Sequence, residues 1–245
     1  MIRFISILLF ILGYNASLQA QENEQEEKDI IFSGLENATS IYATQDHLFV
    51  VESGKHRLLK LDHNGNLIET LGGFGTGDYQ FDTPIDVDAT NGLKIYVTDY
   101  GNERIQVYDR RFQYLGSITG ESGFQNRRIS STQLVVSDFG ELFVYDESSK
   151  SILKFDENGN FIDEFDLSGL QASNIEIRND ELIITDRISG QVGVMSQNGL
   201  LRSIYPAADT RMDLQGFVER VSFFTWNFLL FNNYIEKTSI AYLGD

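Results

Sequence analysis

The chain has no cysteine. That excludes disulfides, thiolate nucleophiles and thiolate-bound zinc, and it excludes the lipobox that a lipid anchor would need just after a leader. Basic residues are scarce as well: 19 Lys and Arg face 36 Asp and Glu, for a formal charge of −17. An acidic surface repels phosphate backbones and anionic headgroups, so neither nucleic acid nor a lipid surface is expected as a partner. Histidines number three, His47, His56 and His63. A catalytic zinc needs three converging ligands. His47 and His56 flank opposite ends of a strand-like run, Leu48–Glu52, and His63 falls in another turn, so convergence is not expected. No Gly-x-Ser-x-Gly elbow and no P-loop is present. The glycine-rich run Leu71–Gly77 lacks the lysine and the helix of a phosphate loop and reads as a linker. No stretch is continuously apolar for the 18 residues that suggest a membrane span, and no long window repeats its apolar residues every 3.6 positions.

What is present begins with the N-terminus. Arg3 precedes a nine-residue, largely apolar run, Phe4–Leu12, and a polar stretch then ends in Ala20. This is the plan of a secretory signal peptide and is too short to span a bilayer. Residues 1–20 are therefore expected to be removed, placing the mature chain in the periplasm or outside the cell, without membrane insertion. Residues 21–29, QENEQEEKD, read as a disordered acidic leader. Asn37-Ala38-Thr39 is a glycosylation sequon, relevant only in a host that glycosylates exported proteins.

The dominant signal is repetition. Five segments share one template: an apolar strand, an acid or amide, a polar turn and a second apolar strand. They begin at Leu48, Ile95, Leu142, Leu182 and Phe228. The residue closing the first strand is Glu52, Asp99, Asp146, Asp186 or Asn232, at intervals of 47, 47, 40 and 46 residues. These segments alternate with period two and are rich in Val, Ile, Tyr and Phe, which marks strands. Asn-Gly steps at Asn64, Asn158 and Asn198 supply the positive-φ residues of a tight turn before a further strand. Another short strand precedes each template. Four antiparallel strands per repeat make a propeller blade. The expected fold is all-β, a β-propeller over residues 30–245 with five blades by repeat count and six as the alternative. The lone run Asp29–Phe32 is expected to close the ring as the outer strand of the last blade, removing an open edge.

At residues 78–120, DYQFDTPIDVDATNGLKIYVTDYGNERIQVYDRRFQYLGSITG, the chain resembles the NHL repeat, with Phe and Pro before an inner strand, a strand ending in Asp, then Gly-Asn-x-Arg-Ile. Thr39–Gly73 follows the pattern nearly as well. The third copy has Ser151 in place of the arginine, and the fourth and fifth are degenerate. The resemblance implies a β-propeller rather than an activity. Amidating lyases with NHL propellers draw histidines from several blades, a pattern missing here. Propeller lactonases hold a central calcium with acids and amides from different blades.

The aligned acids are expected to bond their own turns and to pair with the arginine five residues on, as Glu52–Arg57 and Asp99–Arg104. Candidate ligand-binding residues are Arg57, Tyr100, Arg104, Phe124, Arg127 and Arg128. For a metal, the raw material is Asp86, Asp99 and Asp138. The resulting expectation is an exported, non-enzymatic module holding a protein, peptide or glycan on one face, without a cofactor. The alternative is a calcium-dependent, lactonase-like hydrolase or lyase with its metal in the central channel.

Overall fold

The computed structural model describes residues 29–90, 92–120, 128–206, 228–233 and 237–242. The leader expected at 1–20, and the acidic segment up to residue 28, lie outside them. The described secondary structure is β-strand with two single-turn 3₁₀ segments, Ser53–Lys55 and Tyr100–Asn102. Strand β1 (Asp29–Leu35) comes first. Blade 1 then comprises β2 (Ala38–Ala43), β3 (Leu48–Glu52), β4 (Arg57–Leu61) and β5 (Leu67–Gly72). Blade 2 comprises β6 (Pro84–Asp88), β7 (Lys94–Asp99), β8 (Arg104–Asp109) and β9 (Tyr114–Thr119). In blade 3 the strands are β10 (Ser131–Val136), β11 (Leu142–Asp146), β12 (Ser151–Phe155) and β13 (Phe161–Asp166). Blade 4 has β14 (Asn174–Arg178), β15 (Glu181–Asp186), β16 (Gln191–Ser196) and β17 (Leu201–Pro206). Last come β18 (Phe228–Asn233) and β19 (Lys237–Tyr242).

Each blade is a four-stranded antiparallel meander in chain order, so the fold is an all-β propeller. The copies agree in fine detail. A register shift falls between the third and fourth strands of all four blades, at Lys60/Leu61, Val107/Tyr108, Lys154/Phe155 and Val194/Met195. Neighbouring blades touch through their first strands, β2 on β6, β6 on β10 and β10 on β14.

Stacking of sheets explains why the central strands are apolar on both faces. Along β3, Phe49 and Val51 join Phe81, Val87 and Tyr108 of blade 2, whereas Leu48 and Val50 join Leu35 of β1. Equivalent layers fill the spaces between blades 2 and 3 and between blades 3 and 4. A strand with a period-two alternation thus feeds two cores, and apolar burial on both sides drives the stack together.

The two ends of the chain meet. Strand β1 pairs antiparallel with β19, Ile30 opposite Ala241 and Phe32 opposite Ile240, and β18 completes a three-stranded sheet. Strand β18 lies against β2 as β3 lies against β6 and β7 against β10, the relation of a second strand to the first strand of the following blade. The expectation of five complete four-stranded blades is corrected here. Four are complete among the described residues, where the β18–β19–β1 sheet has three strands. No sixth sheet occurs among the described residues.

A second feature places β1 as an outer strand. The glycines of the Asn-Gly turns sit hard against the outer strand of the preceding blade. A Cβ on Gly159 would lie 2.9 Å from Ile118 of β9, and one on Gly199 would lie 2.3 Å from Phe165 of β13. A Cβ on Gly65 of blade 1 would lie 2.0 Å from the Ile31 carbonyl oxygen of β1, at a φ of +82°. Gly65→Ala is therefore expected to destabilise the fold by about 2–4 kcal/mol, from the left-handed backbone and the collision together. Gly73→Ala, also at positive φ but with nothing within 4 Å of its Cβ, should cost only about 1 kcal/mol. Urea denaturation of the two variants distinguishes a tight β1–blade 1 junction from a loose one, which would make the two costs equal.

Candidate functional site

The aligned acids close the second strand of each blade, and the side chains of Glu52, Asp99, Asp146 and Asp186 are buried. A buried carboxylate needs donors. Each finds the same one, a backbone N–H of the segment entering its own blade. Glu36 N donates to Glu52 Oε1 at 2.8 Å, Asp82 N to Asp99 Oδ1 at 2.7 Å, Ser130 N to Asp146 Oδ1 at 2.9 Å and Gln171 N to Asp186 Oδ2 at 3.1 Å. Each acid thus ties its blade to the linker that arrives from the previous one.

The remaining oxygens meet the turn. Arg57 Nε donates to Glu52 Oε2, and Arg104 Nε donates to Asp99 Oδ2 at 2.7 Å, as the spacing predicts. Blade 3 lacks the arginine and substitutes hydroxyls. Ser149 Oγ donates to Asp146 Oδ2 at 2.8 Å and lies 2.6 Å from the Ser151 hydroxyl. In blade 4 the N–H groups of Ile188 and Ser189 do this work. Burial alone would push the Glu52 carboxyl up, but the Glu36 N–H, Arg57 and Lys55 outweigh it and hold the group below the usual range. Asp186 is likewise held down, burial being outweighed by its N–H donors.

The candidate binding residues have varied surroundings. Arg104 also donates to the carbonyls of Gly77 at 2.8 Å and Gln80 at 3.0 Å, and Asn102 donates to that of Gly75 at 2.9 Å. The glycine-rich run is therefore an inter-blade linker clamped by blade 2, and Arg104 is its clamp. Arg57 is held by Glu52. Tyr100 donates to Glu147 Oε2 at 3.2 Å, bridging blades 2 and 3. Arg128 is exposed and pairs with Glu103 at 3.1 Å. Phe124 and Arg127 lie outside the described residues.

Asp86, Asp99 and Asp138 do not share a surrounding. Asp99 is locked at its turn, and Asp138 is exposed in the β10–β11 turn. Asp86 sits on first strand β6, where Oδ1 accepts from Ser40 Oγ at 2.6 Å and Oδ2 from Leu134 N at 2.9 Å. Two residues on, Asp88 Oδ2 accepts from Val136 N at 3.1 Å. The two aspartates thus cap N–H groups on the edge of β10, joining three first strands by side chains. No group of three or more His, Cys, Asp or Glu able to hold a metal occurs among the described residues.

Sequence reasoning missed a cleft of about 770 Å³ between blades 1 and 2, at the end opposite the aligned acids. Its walls carry Thr44, His47, Lys60, Thr90, Arg110 and Arg111. Lys60 Nζ donates to the Arg110 carbonyl at 3.0 Å and stands 5.7 Å from the centre of the Phe112 ring. His47 and His63, expected to be apart, lie at one end of the blade: the His63 Nε2 lies 3.0 Å from the Thr44 carbonyl oxygen, three residues before His47, and the His63 charge is among the influences on His47. Burial and then Lys60 hold the His47 imidazole below its ordinary value. His56 is at the far end, where its Nδ1 accepts from Thr83 N at 2.9 Å. The readable sign was in the turns. At positions where other blades have His63-Asn64, Glu157-Asn158 and Gln197-Asn198, blade 2 has Arg110-Arg111.

Comparison with known proteins agrees with this architecture. Residues 81–108, the heart of blade 2, match the NHL repeat. Among solved structures, a streptogramin B lyase superposes with a TM-score of 0.54 at 17% identity, covering 74% of this chain and 58% of that one. A catalytically inactive virginiamycin B lyase from Staphylococcus aureus, crystallised with quinupristin, gives 0.57 at 11% identity over 75% of this chain and 58% of that one. Selenomethionine-substituted virginiamycin B lyase from the same organism gives 0.55 at 13% identity, over 73% and 60%. The chain thus spans less than two thirds of these proteins, and at such identities the likeness is one of fold. No curated protein matches by sequence.

Proposed function

We propose that this chain, an NHL-repeat β-propeller, is an exported, non-enzymatic binding module that holds a protein, peptide or glycan on one face of its ring. The observation that carries the reading is the occupation of the aligned carboxylates. In four blades the acid is buried and engaged by its own linker N–H and its own turn, an arrangement that builds a scaffold. The blade 1–blade 2 cleft, of about 770 Å³, lies at the other end, on the face we assign to the ligand.

Purified protein stripped with EDTA and applied to glycan and peptide arrays tests the proposal. Binding is expected to survive removal of divalent cations. If calcium is required for binding, raises the melting temperature and supports turnover of a bound ester or glycan, a calcium-dependent hydrolase or lyase replaces the scaffold. Export is tested by N-terminal sequencing of protein recovered from periplasm or medium, with Gln21 as the expected first residue.

A further inference from the structure

The turn between β8 and β9 breaks the rule that the other blades keep. In blades 1 and 3, an Asp accepts from the N–H groups two and four residues on, and a glycine at positive φ sits between those donors. Blade 4 has the same glycine, Gly199, with Ser196 in place of the Asp. In blade 2, Asp109 makes the same two bonds, to Arg111 N and Gln113 N, but the positive-φ position is Phe112, at +57°. An aromatic residue in the left-handed region is strained and persists where its surroundings hold it. Phe112 is buried, edge-on to Phe49 with ring centres 6.1 Å apart, and carries Lys60 over its face. The wedge fixes Lys60 at the cleft and places Arg110 and Arg111 on its wall.

Among the described residues neither guanidinium has an acidic partner, whereas Arg57, Arg104, Arg128, Arg178 and Arg202 all do. Of the nearby carboxylates, Asp62 and Asp109 bond their own turns, and Asp46 shares the cleft wall. Three cations without ion-pair partners thus face one concavity in a chain of net charge −17. Arginine forks suit planar or tetrahedral oxyanions. The surrounding acidic field disfavours a long polyanion, and the volume suits a compact molecule.

We propose that the cleft between blades 1 and 2 binds a small oxyanion ligand, a carboxylate- or phosphate-bearing molecule of sugar size, through Lys60, Arg110 and Arg111. Thr44 and Thr90 offer hydroxyls to its neutral part. This rests on the binding-module reading and names the chemistry of its ligand.

Calorimetry at low ionic strength with glucuronic acid, glucose 6-phosphate and glucose tests it. At least one anionic probe should bind, glucose should not, and affinity should fall with added salt. Glucuronic acid alone binding identifies a carboxylate site, and glucose 6-phosphate alone a phosphate site. In the double variant Arg110→Gln with Arg111→Gln, both at exposed positions, the affinity should drop about tenfold or more with the melting temperature unchanged. On the wild-type chain, the bound anion should raise the titration midpoint of His47 by offsetting Lys60, whether or not the variant folds. Glucose binding equally well, neither anion binding up to millimolar concentration, or an unmoved His47 would overturn the inference. An array ligand whose affinity the double variant leaves intact would sink the oxyanion site and spare the binding module. Calcium-dependent turnover would sink the module itself.

Discussion

Asp99→Ala is expected to lower the unfolding free energy by about 3–5 kcal/mol, the cost of breaking a buried ion pair by removing one partner. Asp99 is fully buried and accepts from four donors: Asp82 N at 2.7 Å, Asn102 Nδ2 at 2.9 Å, Arg104 Nε at 2.7 Å and Gln106 Nε2 at 3.1 Å. Its removal leaves the mostly buried Arg104 guanidinium without its carboxylate and frees the linker that Arg104 clamps. Asp146→Ala should cost less, about 1–3 kcal/mol, because the hydroxyls of Ser148 and Ser149 replace the arginine and can turn to other partners. Urea denaturation at neutral pH measures both. Equal costs would mean that the arginine adds nothing and that the tether to the linker N–H carries the whole effect.

The repeat, its four strands and the acid–arginine spacing were legible because they are local: period two, turn residues and an interval of five positions. The tether from each acid to a linker N–H was not. It joins residues 15–17 apart across a returning segment whose path no periodicity encodes. Asp86 and Asp88 were visible as acids on a first strand, but their partners, Leu134 N and Val136 N, lie 48 residues away on the next blade. The cleft was illegible for a related reason. Arg110 and Arg111 look like any polar turn until the following Phe112 is compared with the glycines at its place in the other blades. His47 and His63 stand 16 positions apart in sequence, and only the return of β4 beside β3, Leu61 opposite Leu48, brings their two ends together. The closing strand was legible, since Asp29–Phe32 had no partner of its own and an open sheet edge needs one.

The second large effect is expected from Asp88, as a dependence of stability on pH. Burial dominates its surroundings and pushes the carboxyl up to about 7, against the lowering influence of the Thr90 N–H and hydroxyl and the Val136 N–H, with the neighbouring Asp86 adding to the rise. Burial, and then the charge on Asp88, raises the phenols of Tyr42 and Tyr96. Because the folded chain holds this proton more tightly than the unfolded chain, the stabilisation is fully present below the unfolded value of 3.8 and declines as pH rises, until it is lost above about 7. Between about pH 5 and pH 8 the wild type should therefore lose about 2–3 kcal/mol relative to Asp88→Asn, which mimics the protonated form and cannot ionise. Groups held low, Glu52 and Asp186 among them, work in the opposite sense: their contribution is present above the usual carboxylate range and is lost as pH falls. They are common to both proteins and cancel in the comparison. Urea midpoints for the two chains at the two pH values isolate the aspartate. Parallel pH profiles would show that Asp88 is ionised throughout, held so by its bonds to β10, and that the junction of blades 2 and 3 is indifferent to pH in this range.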